Sequence, residues 1–203
     1  YRIAEKRVQE HTIAVQRTWH TGEKPLLHVR TRNVEGMTMK AWKINLADYF
    51  RARGGSFSIE DVTVEIVESA SRWTDLVPGY AAYKVVERDT ELPLAGPGAW
   101  IVEASEAEFR SKVLVIVSDL GVVTKMTPSQ AFVFAADQRT GKPYPNADVI
   151  VATGGAPLAA GKTGADGVCV LSRAEGDLSG AYTFVSAGAA GSPQHVAFVG
   201  STE

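Results

Sequence analysis

The sequence predicts an all-β protein built as two tandem antiparallel β-sandwich domains, with one short helical insertion near residues 47–53. Three observations lead there. Short runs of β-branched and apolar residues recur along the chain, many of them alternating with polar ones. The breaks between them carry glycine and proline where turns require them. The chain has 203 residues, long for one sandwich of roughly 100 and comfortable for two. The boundary is placed near Gly121, giving domains 1–121 and 122–203.

In the first domain, Thr12–Arg17 and Pro25–Thr31 are two strands around a turn at Thr21-Gly22-Glu23-Lys24. Met37–Leu46 alternates Met37, Met39 and Ala41 with Thr38, Lys40 and Trp42, which favours strand over helix. Ala47–Arg53 breaks the alternation with good helix formers and runs into Gly54-Gly55, a helical turn closed by glycine. Asp61–Val67 and Ala81–Val86 return to strand, and Trp73–Gly79 between them is expected to be a loop. Gly96-Pro97-Gly98 then delivers the chain into a strand at Ala99–Ala104, and Lys112–Val117 closes the domain.

The second domain shows six strand segments: Gly121–Lys125, Ala131–Asp137, Ala147–Thr153, Gly167–Leu171, Gly180–Ala187 and His195–Gly200. Thr140-Gly141-Lys142-Pro143 and Ala165-Asp166-Gly167 put glycine where φ is positive and proline where φ is near −65°. Gly154–Thr163 is expected to be a hairpin loop, and Gly188–Pro193 a reversal before the last strand.

A hydrophobic content of 45% with 22% charged residues describes a chain that builds cores. A net charge of −2 with scattered basic residues gives no nucleic-acid footprint, and the Arg51/Arg53 cluster is too short to track phosphates. No apolar run reaches the roughly 18–20 residues of a membrane helix, so no membrane insertion is expected. The chain begins with Tyr1, not Met, and is expected to be a processed or excised piece. Cys169 is the single cysteine, so no internal disulfide forms; between Val168 and Val170 it is expected to be a small buried strand residue.

Gly155 to Thr163 invites a phosphate-loop reading, but five residues separate Gly155 from Gly161-Lys162 where the motif has four, and the chain restarts a strand where a helix must open. His20 and His28, eight apart around a turn, could face each other across a hairpin, yet two imidazoles alone make a weak metal site. Neither His-Glu-x-x-His nor Gly-x-Ser-x-Gly occurs. Glu65, Glu68, Asp75, Glu87, Asp89 and Glu91 are expected on solvated faces. Trp19, Trp42, Trp73 and Trp100 are expected in a core, with Trp42 and Trp73 the candidates for any exposed platform. No catalytic, cofactor-binding or metal residue is assigned, and no cofactor is expected.

Asp137, Thr140, Gly141, Pro143, Ala147 and Val149, followed by Thr163, Asp166, Gly167 and Val168, form an Asp-x-x-Thr-Gly-x-Pro pattern closed by an Asp-Gly turn. Ahead of it stands Val117-Ser118-Asp119-Leu120-Gly121, and further marks are Thr31–Val34, Ala47–Phe50 and Gly96–Ala104. The whole resembles the macroglobulin domains of bacterial alpha-2-macroglobulin-like proteins. The resemblance implies a pair of seven-stranded sandwiches from the N-terminal half of a much larger exported protein, periplasmic or at the cell surface, whose family traps proteases. Many members carry a thioester in a Cys-x-x-Gln arrangement; here Val170, Leu171 and Ser172 follow Cys169, so neither thioester nor bait region is carried over. The expectation is a non-catalytic module whose partners are other domains of the same chain, with proteases engaged only through the full-length protein. The alternative is a free-standing adhesion or carbohydrate-binding module.

Overall fold

The computed structural model describes residues 10–15, 17–53, 62, 71–107, 109–153, 156–173, 177–189 and 192–200. Of the expected strand Asp61–Val67 only Val62 is described, and Gly54-Gly55 and Gly154-Gly155 lie outside the described residues. Fourteen strands and one helix are present among them. The first half holds β1 (Glu10–Ala14), β2 (Leu26–Arg32), β3 (Gly36–Ile44), α1 (Leu46–Arg53), β4 (Ser71–Leu76), β5 (Val85–Glu91), β6 (Gly98–Glu106) and β7 (Phe109–Val117). The second holds β8 (Leu120–Met126), β9 (Gln130–Asp137), β10 (Asp148–Thr153), β11 (Ala156–Lys162), β12 (Val168–Ser172), β13 (Tyr182–Ala189) and β14 (Ser192–Val199).

Each half is two stacked antiparallel sheets, ordered β1-β2-β5 over β4-β3-β6-β7, then β12-β9-β8 over β11-β10-β13-β14. Alternation directs Leu27, Val29, Met37, Met39, Trp100, Val102 and Val115 into the first core. Val133, Ala135, Val149, Val151, Cys169, Leu171 and Val185 fill the second. On the outer face of the β2/β5 pairing the exposed side chains are charged: Arg30 bonds Glu87 and His28 bonds Asp89, each at 3.0 Å, and Lys24 just before β2 bonds Glu91 at 2.7 Å.

β6, β10 and β13 break that alternation because both of their faces are covered. On β6, Trp100, Val102 and Ala104 enter the first core, while Ala99 and Ile101 face the opposite way under α1 and Val62. On β10 and β13, Ile150, Ala152 and Phe184 point away from their own sandwich. These outward residues meet in one cluster with Leu46, Ala47 and Phe50 of α1 and with Val196, bordered by Ile44, Leu114, Ile116 and Tyr182. α1 is therefore the wedge between the halves. Its apolar face is Leu46, Ala47 and Phe50; its polar side carries Asp48, which takes hydrogen bonds from Asn45 Nδ2 at 2.7 Å and Arg51 at 3.0 Å. The Phe50 ring stacks on Phe184 with centroids 5.1 Å apart and meets Phe198 edge-on at 5.8 Å.

The structure corrects several expectations. Trp73–Gly79 is not wholly loop: β4 takes Ser71–Leu76 as an edge strand on β3, with Arg72, Thr74 and Leu76 exposed. Its mostly polar outward residues hide the pattern. Ala81–Val86 is mostly a turn, with Gly79 and Tyr83 at positive φ and the Tyr83 amide held by Asn33 Oδ1 at 2.6 Å; the strand starts only at Val85. Thr12–Arg17 shifts to Glu10–Ala14. The Gly154–Thr163 loop contains a seventh strand, β11, antiparallel to β10 with a register shift at Val151/Ala152, in an alanine-rich stretch of weak strand signal.

Both turns of the Thr-Gly and Asp-Gly pattern have side-chain causes. Asp137 Oδ1 accepts from the amides of Arg139 and Thr140 at 3.0 and 2.7 Å and from the Thr140 hydroxyl at 2.9 Å, with Gly141 at φ 70°. Asp166 Oδ1 accepts the Val168 amide at 3.0 Å, with Gly167 at φ 76°. A Cβ on Gly167 would stand 2.5 Å from the Ala135 carbonyl oxygen and 2.9 Å from Pro143 Cβ, so one turn is packed against the other. Lys162 and Thr163, the residues of the rejected phosphate motif, are occupied otherwise: Lys162 pairs with Asp148 at 2.7 Å, and the Thr163 hydroxyl donates to Tyr144 O and accepts from Ala147 N.

Gly167→Val is expected to destabilise the fold by about 2–4 kcal/mol, combining the left-handed backbone cost with the clash; an unchanged melting temperature would rule this geometry out. Phe50→Ala is expected to cost about 3–5 kcal/mol in urea unfolding. A loss below about 1 kcal/mol would mean that the wedge does not hold the halves together.

Candidate functional site

The residues that carry the family-like motif Val117-Ser118-Asp119-Leu120-Gly121 converge at the joint between the halves. β7 ends at Val117 and β8 begins at Leu120, so two residues carry the chain from one sandwich to the other. Both are buried, Ser118 completely and Asp119 at 8% exposure.

From the first half, the segment before β2 is stitched onto the end of β7. Trp19 N donates to Ile116 O at 2.9 Å and Ser118 N donates to Trp19 O at 2.7 Å, forming a parallel bridge beside Val117. Arg17 lies 4.0 Å over the buried Trp19 ring and forks onto Glu23 at 3.0 and 3.2 Å, while Glu23 also accepts the His20 amide at 2.8 Å. This folded segment presents the Thr21 amide to Asp119 Oδ1 at 2.9 Å, with His20 Nδ1 at 3.5 Å from the same oxygen.

From the second half, the Asp119 amide donates to His195 Nδ1 at 3.1 Å, and Gln138 N donates to Asp119 O at 2.8 Å. Ser118 Oγ accepts two amides, Leu120 N at 3.2 Å and Val196 N at 3.1 Å. Arg139 donates to the Thr21 carbonyl at 3.3 Å across the joint. Leu120 enters the second core, and Gly121 lacks a side chain because a Cβ there would meet Gln138 Cγ at 2.6 Å. Each letter of Ser-Asp-Leu-Gly thus has a packing or bonding cause.

Burial opposes ionisation of Asp119, but the hydrogen bonding from Thr21 outweighs it and, with the positive fields of His195 and Arg139, holds the carboxyl below its ordinary 3.8. Tyr144, whose ring lies 5.9 Å from His195, has its phenol pushed up by burial and by the charges of Asp137 and Asp119.

His20 and His28 do not face each other: His20 turns to Asp119 and His28 to Asp89. Among the described residues no group of three or more His, Cys, Asp or Glu is arranged to hold a metal. Trp19, Trp42 and Trp100 are buried and Trp73 packs half-buried on the first core, so Trp42 and Trp73 make no exposed platform. Asp75 is not on a solvated face: it is buried and paired with Arg88, tying edge strand β4 to edge strand β5 across the first sandwich. Glu65 and Glu68 lie outside the described residues. Cys169 is buried with its thiol pushed up by desolvation, chemistry that suits packing rather than attack. Asp119 belongs to the Val-Ser-Asp-Leu-Gly motif legible in the sequence; His195 is 76 residues away, and no local signal links the two.

Asp119→Ala is expected to cost about 1.5–3 kcal/mol, the range for hydrogen bonds to a charged group. Because folding lowers this carboxyl's affinity for protons, its stabilisation is complete above 3.8 and is lost as pH falls through the lower folded-state value. The difference in stability between the native chain and Asp119→Ala should shrink on that acid limb; a difference constant down to about pH 2 would contradict the ionised role.

No family model matches the chain. A stretch of 74 residues, 36% of the chain, is 39% identical to alpha-2-macroglobulin of Ralstonia nicotianae, and the match spans 5% of that relative's length. Among solved structures, native Escherichia coli alpha-2-macroglobulin spanning domains NIE-MG1 matches 97% of this chain and 99% of its own, with a TM-score of 0.63 at 14% identity. The structure of the same protein spanning MG0-NIE-MG1 matches 92% of this chain and 64% of its own, with a TM-score of 0.65 at 14% identity. At that identity the structures establish a shared fold, and the sequence match shows that a 74-residue stretch of the chain is similar to a bacterial alpha-2-macroglobulin.

Proposed function

We propose that this chain is a non-catalytic structural module of a large bacterial alpha-2-macroglobulin-like protein, and that the full-length protein traps proteases in defence of the cell envelope, in the periplasm or at the cell surface. The observation that carries the reading is that the two-sandwich arrangement is shared nearly end to end with the NIE-MG1 segment of such a protein. Within it, the module comprises domains 1–121 and 122–203, the second in the place of MG1.

The design of the joint supports a scaffold. An apolar wedge and a buried hydrogen-bond network hold two sandwiches in one orientation, as a wall element requires. The outer face of β12-β9-β8 adds a second support. Val123, Phe132 and Val170 are exposed there at 63%, 41% and 55%, with Phe132 and Val170 paired across the strands. Such a stripe is better suited to cover by another module of the same long chain than to water. The adhesion or carbohydrate-binding alternative rests on exposed tryptophans, and none of the four forms such a surface.

The test uses the full-length protein and the 203-residue chain side by side. Incubated with a broad-specificity protease, the full-length protein should block digestion of a large protein substrate, while the short chain should leave it unchanged. Inhibition by the short chain alone, or none by the full-length protein, would sink the proposal.

A further inference from the structure

Asp119 presents two different groups to its neighbours, and imidazoles from opposite halves stand against them. His195 Nδ1, on β14, accepts the Asp119 amide, which requires that nitrogen to be unprotonated. His20 Nδ1 is buried without a hydrogen-bond partner, 3.5 Å from Asp119 Oδ1. Imidazoles change charge between about pH 5 and 8. In that range the carboxylate of Asp119, already held below its ordinary value, stays ionised.

The other charged and titratable groups around the pair are fixed over the same range. Glu23, beside His20, is lowered by its bonds to Arg17 and the His20 amide. Asp137 is lowered by the Thr140 amide and hydroxyl, and Tyr144 is raised by burial. Arg17 and Arg139 are guanidinium cations throughout, Arg139 reaching across to Thr21 O. Among the described residues, His20 and His195 are the remaining ionisable side chains that face Asp119.

We propose that the joint is a pH-responsive latch: in mild acid, protonated His195 releases the Asp119 amide and turns to the Asp119 carboxylate, which protonated His20 engages from the other half. The neutral latch holds the backbone of the joint through His195; the acid latch gathers both halves onto one buried negative charge. The exchange needs no new group, because the carboxylate and the amide belong to the same residue. It goes beyond the scaffold role and holds whether or not the full-length protein traps proteases.

The experiment is a nitrogen-15 NMR titration of the 203-residue chain from about pH 7.5 to about pH 5.5, following the Asp119 amide and its hydrogen-exchange protection. Protection, corrected for the intrinsic pH dependence of exchange, should fall roughly ten-fold in acid, the equivalent of one net hydrogen bond. His195→Gln keeps an acceptor without a titratable proton and should hold the amide protected throughout; His195→Asn is the second variant if the first does not fold. Constant protection in the native chain, or a native-like response in whichever variant folds, would overturn the latch.

Discussion

The stack of Phe50 on Phe184 is the contact around which the two halves are organised. Without it, the outer faces of β6 and β10 would meet solvent, and the continuous burial along those strands would have no cause. The wedge works because α1 presents an apolar face while its polar side remains in water. Fully burying one large apolar side chain contributes about 1.5–3 kcal/mol, and Phe50, Phe184, Leu46, Ile150 and Val196 are all buried in the same cluster. The few hydrogen bonds at Asp119, at about 1.5–3 kcal/mol each when charged, cannot match that sum. Association of the halves is therefore mainly hydrophobic.

What the polar joint supplies is direction. An apolar contact tolerates sliding, whereas Thr21 N–H, His195 Nδ1 and the two amides on Ser118 Oγ each accept one geometry. Two residues between β7 and β8 leave little slack, and their burial keeps water from competing for those bonds. The same burial makes the site electrically sensitive, because a charge change beside an ionised buried carboxylate is poorly screened.

Much of this was legible in the sequence because it is local chemistry. The turns at Asp137–Pro143 and Asp166-Gly167 follow from side chains that bond amides two or three residues on, and the boundary expected near Gly121 falls within three residues of the Ser118-Asp119 joint. β4 and β11 were hidden for opposite reasons: one is an edge strand with polar outward residues, the other lacks the β-branched residues that mark strands. The role of α1 was hidden because amphipathy reveals that a face is buried, not what buries it. One signal did exist: Val149-Ile150-Val151-Ala152 has no polar alternate, which requires cover on both faces of β10. The approach of His195 to Asp119 is purely tertiary, and nothing along the chain announces it.

The doubly covered strands bear on how such a protein diversifies. A recombination event that separated the two sandwiches at the joint would leave Ile150, Phe184 and Val196 of one fragment, and Ala99 and Phe50 of the other, open to water. Each fragment would carry an adhesive sheet or helix face into its new context. The apolar cover of β6, β10 and β13 thus ties the solubility of either sandwich to the presence of the other.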